Sequence, residues 1–430
     1  MTGQAVCYHP PPTMQAETRN RINLYLNVVV VVLAFSIPLY RKWVSIAAPL
    51  IMILWFVEGR LPDKLAVLKR HWLSLAVGGF IAFNLISVFW SSNPVAGLDY
   101  VFKYYYLLLI PILATSLRSR IRERAENAFL FGTALSIAVS FAVFVGFVRF
   151  RDAYPGNPSP AMSHLDYSMV LAVAASIVLC RLLEGGQQRR TIVLQSSLLV
   201  AITAGLLINI GRSGQLAFLV AAPVMVWVIL GARKPRLAIA LLIGSVIVIA
   251  LSYAVIRPFH DRVNSGIGEV RAAISAGQYD TNQGKRVAGF LVAVEMVKER
   301  PVLGTGAGHN MELFQQVLDD HHPDLKPFVG WFPHLHNQYL QSITETGLVG
   351  LSLLLLIVPI ALVAGPYVDP HDRYLAISLA IVYLVGFLGD PFFRKQLPLV
   401  LFAMVGGLVS ARGRSLVWDG PHPDELGHRE

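Results

Sequence analysis

Residues 191–231 read TIVLQSSLLVAITAGLLIN (191–209), IGRSG (210–214) and QLAFLVAAPVMVWVILG (215–231). Neither long run holds an Asp, Glu, Lys or Arg, and each is close to the ~20 apolar residues a helix needs to cross a hydrocarbon core. The connector is too short to bring back anything but an antiparallel neighbour. The stretch therefore reads as a membrane hairpin with Arg212 at its tip. Comparable runs recur, and twelve spans are expected near 23–40, 43–58, 72–90, 101–117, 127–148, 165–183, 191–209, 214–231, 237–256, 347–364, 374–389 and 396–411. In lipid a helix satisfies its own backbone, so the fold class is all-α and polytopic. Composition agrees: 55% of the 430 residues are hydrophobic and 14% charged, against roughly 25% charged in soluble domains.

The loops set an orientation. Arg60, Lys64, Lys69 and Arg70 fall in one connection, Arg118, Arg120, Arg122 and Arg124 in another, Arg181, Arg189 and Arg190 in a third, and Arg233, Lys234 and Arg236 in a fourth. Positive charge stays inside, which puts these loops and both termini in the cytoplasm. The expected division is a cytoplasmic tail 1–22, spans one to nine over 23–256, an outer loop 257–346, spans ten to twelve over 347–411, and a cytoplasmic tail 412–430. The excess of Lys+Arg (36) over Asp+Glu (26) sits at segment ends, without the aromatic interleaving of a nucleic-acid module. Membrane lipids are its expected partners, and no nucleic acid is expected. Cys7 and Cys180 have no metal-thiolate spacing, and a disulfide between them is not expected. The polar, proline-rich N-terminus lacks a cleavable-signal layout.

The loop 257–346 is too long for a simple link. A helix is expected over Arg286–Glu299, with Val287, Phe290, Leu291 and Val294 at helical spacing. After Pro301 and a turn over Gly304–Gly308, a second helix is expected over Met311–Leu318. The two would form a small helical cap on the bundle.

Outer polar residues are disproportionately arginine: Arg149 and Arg151, Arg212, Arg257, Arg262, Arg271, Arg286, and Arg394 beside Lys395. Guanidinium grips phosphate bidentately, so an anionic ligand such as a lipid pyrophosphate is expected. For any single one the ordinary alternative is snorkelling to headgroups. Arg212 stands out because its turn is tight, its flanking glycines allow close backbone approach, and Ser213 adds a hydroxyl. For Arg286 the alternative is an ion pair with Glu269 or Asp280. His336-Asn337 opens a segment that becomes helix, and nine residues then separate Asn337 from Gly347-Leu348-Val349-Gly350. A helix start and nearby arginines keep imidazole neutral and able to accept a proton. His334 brings a metal site to mind, but no HxxxH or HExxH spacing occurs, and no metal is expected. His164, Asp166 and Asp390 could hold a sugar hydroxyl or cap a helix. There is no nucleophile elbow, Walker loop or DXD motif.

These residues, in order, are Arg212-Ser213-Gly214, then Arg286 and Pro301-Val302-Leu303-Gly304-Thr305-Gly306, then His336-Asn337 with Gly347-x-x-Gly350. The chain resembles the bacterial O-antigen ligases, in the superfamily that includes O-antigen polymerases and protein O-oligosaccharyltransferases. The resemblance implies transfer of O-antigen from undecaprenyl pyrophosphate to a sugar hydroxyl of lipid A–core at the periplasmic face of the inner membrane. It implies an inverting displacement that uses no cofactor, metal or nucleotide, and it makes the long loop periplasmic. His336, Arg212 and Arg286 match the family's essential histidine and arginines. Arg149, Arg151, Ser213, Asn337, His334, Asp390 and Arg394 are expected to contribute to substrate binding. A polymerase extending the glycan on its carrier, a protein O-oligosaccharyltransferase and a lipid-linked glycan transporter remain alternatives.

Overall fold

The computed structural model describes residues 14–255, 257–363, 365 and 369–411. Cys7, the tail residues 1–13 and 412–430, and the side chain of Arg262 lie outside the described residues. Among the described residues the regular structure is helical, with two isolated bridges between Phe150 and Asn157. Each of the twelve expected segments falls on helical backbone. Seven helices are long and apolar enough to cross a membrane, and an eighth if Arg41–Glu58 and Leu61–Leu68, bent by 115°, form one broken span. The chain is an all-α membrane protein. The expected twelve are not reached on length and composition, because some segments are short or charged. The helix Gln396–Ser410 has 15 residues, and Pro370–Gly386 opens with His371, Asp372 and Arg373.

The bundle is built around α8 (His164–Glu184), 72% of whose apolar window is buried. It packs on α9 (Arg189–Ile208), α10 (Arg212–Leu230) and α17 (Pro370–Gly386). Glycine permits the closest approach: a Cβ on Gly214 would lie 2.1 Å from Ser168 O. A second group pairs α1 (Met14–Ser36) with α2 (Arg41–Glu58) and α7 (Ser119–Phe144), and α6 (Leu109–Ser116) with α18 (Gln396–Ser410). Where α7 begins and α8 ends, Arg122 and Arg181 are tied into buried ion pairs with Glu126 and Asp372. Part of the positive charge counted for orientation is thus neutralised inside the protein.

The long connection folds as a helical cap, but not with the boundaries expected. Its first helix, α12 (Arg257–Ala276), was absent from the sequence reading. The next, α13, runs over Asn282–Glu299 and starts four residues before Arg286, because Thr281 Oγ1 accepts the Gly284 amide at 3.0 Å. Its buried face also differs. Ala288, Gly289, Val292, Ala293 and Met296 face the cap core, whereas Leu291 and Val294 are exposed. Small residues let α13 sit close to its neighbours, and Phe332 fills the space over Gly289. The cap closes with α14 (Asn310–His321) and α15 (Lys326–Val329) around Phe314, Val317 and Leu335.

The tenth expected span, from Gly347, is preceded by a further helical segment from Gln338, and the two meet at a kink at Gly347. In α16 (Gln338–Leu355) Gly347 is non-helical, with φ 64° and ψ −165°. The break frees carbonyls above it and amides below it, which would be costly if left bare in a membrane. The strap Pro301–Gly306 meets both sets. Thr305 and Gly306 amides donate to Thr344 O (3.0 Å) and Glu345 O (2.8 Å), while Leu348 and Val349 amides donate to Pro301 O (2.9 Å) and Val302 O (3.3 Å). Gly306 also rests on Ser87 and Ser91, at the end of α4 (Trp72–Ser87). The glycine-rich turn is a backbone clamp, not a phosphate cradle.

Candidate functional site

His336 follows Leu335, which is buried in the cap core, and precedes Asn337, which starts α16. Asn337 Oδ1 accepts the amides of Tyr339 (2.9 Å) and Leu340 (3.1 Å), and its Nδ2 donates to Leu388 O at 3.4 Å. Both ends of this amide are committed to the fold, so Asn337 caps a helix instead of facing a ligand. His336 has φ 51°, in the left-handed region. Its amide donates to His334 Nδ1 at 3.3 Å.

The strongest contact was not foreseen. His336 Nδ1 lies 3.3 Å from Oδ1 of Asp390, a fully buried carboxylate just past α17. Lys395 Nζ pairs with the other carboxylate oxygen. Burial works to raise the Asp390 pKa, but the His336 hydrogen bond and the Lys395 charge prevail and bring it to about 2. The carboxylate is therefore ionised at neutral pH, and His336 Nδ1 must carry the hydrogen between them. In a neutral imidazole that arrangement leaves the lone pair on Nε2, the tautomer a base requires. Burial lowers His334 to about 4; Asp390 works against this, while His336, Arg394 and Lys395 add to it. His334 is therefore neutral at pH 7, and its Nδ1 is the acceptor that fixes the His336 backbone.

His334, His336 and Asp390 place ligand-type atoms within 4.8 Å of one another. A cation held through the two Nδ1 atoms and the carboxylate would need lone pairs that are already in use. His336 Nδ1 donates to the carboxylate, His334 Nδ1 accepts an amide, and Lys395 holds the remaining oxygen. The hydrogen-bond network fits the three groups better than a metal does.

The arginines divide. Arg286, on α13, is half-buried. Burial pushes its pKa below the ordinary value, Asp390 opposes the shift, and the like charge of Arg212 adds to it. Arg286 thus senses both the Asp390 carboxylate and Arg212 across the site. Arg212 is the exposed first residue of α10 and points at α12, its Nη1 3.9 Å from where a Cβ on Gly266 would stand. Among the described residues neither Arg212 nor Arg286 has a carboxylate within ion-pair distance. Glu269, one expected partner of Arg286, is taken by Ser265 Oγ (2.8 Å) and the Gln283 amide (3.1 Å). Two guanidiniums that repel each other across the site, neither in an ion pair, suit an anion.

Other expected residues have different duties. Arg394 stacks on Tyr100 at 4.6 Å and pairs with buried Glu345 at 3.6 Å, so its charge is already matched. Ser213 is buried against Gly389, beside Asp390, and helps seat the turn that carries the carboxylate. Arg151 lies over the Tyr40 ring at 4.5 Å, and Arg149 is exposed; no described contact brings either to His336. Sequence reasoning missed Lys395 and Glu345 as partners. The run Gly389-Asp390-Pro391 followed by Arg394-Lys395, between two apolar segments, was the available signal.

Residues 196–355 match the family model described as O-antigen ligase. The stretch runs from α9 to the end of α16 and contains Arg212, Arg286, the strap and His336. The match supports a place for the chain in the O-antigen ligase superfamily. Comparison with curated proteins finds no match. Asp390 and Lys395 lie beyond the matched segment, so the pairing of Asp390 with His336 and of Lys395 with Asp390 is seen only in the fold.

Because the folded-state pKa of Asp390 lies below its unfolded value of ~3.9, its ion pair stabilises the protein above that value. The contribution is lost as the pH falls through about 2. Thermal unfolding between about pH 4 and pH 2 should therefore depend less on pH in Asp390→Asn than in wild type. The same variant should lower turnover on the order of 10²-fold at neutral pH, by removing the group that fixes the His336 tautomer.

Proposed function

We propose that the protein is an O-antigen ligase that moves a glycan from undecaprenyl pyrophosphate to a sugar hydroxyl of lipid A–core. The observation that carries this reading is the His336–Asp390 pair, with Arg286 within electrostatic reach of both Asp390 and Arg212 and neither arginine in an ion pair. His336 Nε2 takes the acceptor hydroxyl proton as that oxygen bonds to the donor's anomeric carbon. The bond from that carbon to the pyrophosphate oxygen breaks, and the electron pair leaves with undecaprenyl pyrophosphate. A single displacement inverts the anomeric centre. Arg212 and Arg286 offset the charge that builds on the departing pyrophosphate, the kind of electrostatic assistance that dominates many such reactions. Asp390 orients the imidazole and stabilises its protonated form, and Lys395 holds Asp390. No step requires a metal.

The proposed setting is the inner membrane, with twelve spans, both termini in the cytoplasm, and the cap with His336 on the periplasmic side. The clustering of outer arginines against the usual charge bias supports it. Polymerase chemistry would use the same groups and differs in the acceptor.

The test is transfer by purified protein given undecaprenyl-pyrophosphate glycan and lipid A–core with a chelator present. Ligated lipopolysaccharide supports the proposal, glycan growth on the carrier makes the protein a polymerase, and loss of activity with chelator overturns the metal-free mechanism. Uptake of labelled lipid-linked glycan into vesicles lacking acceptor would instead point to transport. Arg212→Lys and Arg286→Lys should each lower turnover about 10²–10³-fold by losing the bidentate fork. Full activity in Arg212→Lys would refute bidentate binding there.

A further inference from the structure

The cap displays one large aromatic side chain that the chemistry above does not use. Trp331 is 63% exposed, although it sits between ordered neighbours. Gly330 O accepts Gln315 Nε2 at 2.8 Å, and the Phe332 amide donates to Val329 O at 3.0 Å. Phe332 itself is buried over Gly289 of α13. The indole is thus held out on a fixed backbone and not carried on a loose tip.

Its surroundings are polar on one side and lead to the site on the other. Lys285 Nζ lies 5.8 Å from the indole centre, and the next residue is Arg286. Trp331 meets Phe332 edge-on at 5.1 Å between ring centres, and Phe332 meets His336 in the same way at 5.0 Å. The exposed indole is two ring contacts from the imidazole. A pyranose offers an apolar C–H face and a rim of hydroxyls. An indole with an ammonium donor over one face, 5.8 Å from its centre, and a second face for stacking complements both parts. A rigid indole also loses little conformational freedom when it binds.

We propose that Trp331 and Lys285 form a sugar-binding subsite for one pyranose ring of a glycan substrate, which Trp331 stacks and Lys285 hydrogen-bonds. The proposal rests on the glycan-transfer reading and adds to it a place where substrate is gripped away from the reacting atoms. The ring could belong to the transferred glycan or to the receiving core, so the two are tested separately.

Full-length protein in nanodiscs is titrated with lipid-free O-chain oligosaccharide and, separately, with lipid-free core oligosaccharide. Trp331→Ala should weaken binding of one of them about tenfold, with Trp331→Phe recovering most of the loss and Lys285→Ala showing a smaller one. The KM of the matching substrate should rise in parallel. Unchanged affinity for both oligosaccharides in Trp331→Ala would overturn the subsite. So would quenching by brominated lipid of the fluorescence that Trp331→Phe removes, which would assign the indole to the membrane. If wild type transfers no glycan, the function proposal fails, yet the binding titration still decides the subsite.

Discussion

His336→Asn lowers the transfer rate by about 10²–10⁴-fold while leaving expression, folding and donor binding intact. The choice of asparagine matters. His336 has φ 51°, and asparagine enters the left-handed region more readily than most L-residues, so the substitution removes the base without adding backbone strain. Alanine at the same place would confound lost chemistry with about 1–2 kcal/mol of conformational cost. Donor binding should survive because Arg212 and Arg286 are carried by α10 and α13, not by the His336 segment. Single-turnover transfer and donor affinity are the paired measurements. A fall in donor affinity as large as the fall in rate would make His336 structural and remove it from the mechanism.

Gly347→Ala should abolish folded protein almost completely. Its φ 64° and ψ −165° lie where residues with a Cβ are strained, and an added Cβ would stand 2.1 Å from Val302 O. The strain alone costs about 1–3 kcal/mol. The clash would also push the strap off the break and uncover the four backbone groups it satisfies, so the total should reach about 4–5 kcal/mol or more. Gly59→Ala separates the two causes. Gly59 has φ 77° but nothing within 4 Å of an added Cβ, so only the strain should register, near ~1 kcal/mol. Monodisperse yield and thermal midpoint in detergent compare them. Equal behaviour of the two variants would show that the strap contributes little.

Much of this architecture was legible because lipid restricts the possibilities. Long uncharged runs have to become helices, so the helical class could be read directly, although seven or eight helices, not twelve, are long and apolar enough to cross a membrane. The features that escaped were those decided by contacts distant in sequence. His336 and Asp390 are 54 positions apart, and neither local pattern announces the other. Asp390 before Pro391 resembled a helix cap. The buried face of α13 was misjudged because its bulky residues Leu291 and Val294 drew more notice than Ala288, Gly289 and Ala293. In close-packed helices the small residues can face inward and the larger ones outward. The alternation of glycines and charges over 257–276 hid α12. The glycines at 304–308 read only as a turn, because their partners are backbone atoms, which no side-chain pattern reveals. Arg212, Arg286 and His336 stood out because a charge or a lone base at the end of an apolar run is conspicuous even in one dimension.

The strap has a consequence for the order in which the chain can be assembled. Its own seat, at Ser87 and Ser91, leaves the ribosome long before it, and the broken helix it repairs emerges only afterwards. Synthesis from the N-terminus therefore makes the receiving surface first, the repair segment second and the defective helix last. When Gly347 reaches the bilayer, the amides and carbonyls it leaves unpaired can be met at once by a segment already docked. A circular permutant starting after α15 would reverse that order. It would have to insert an incomplete helix with nothing yet made to complete it.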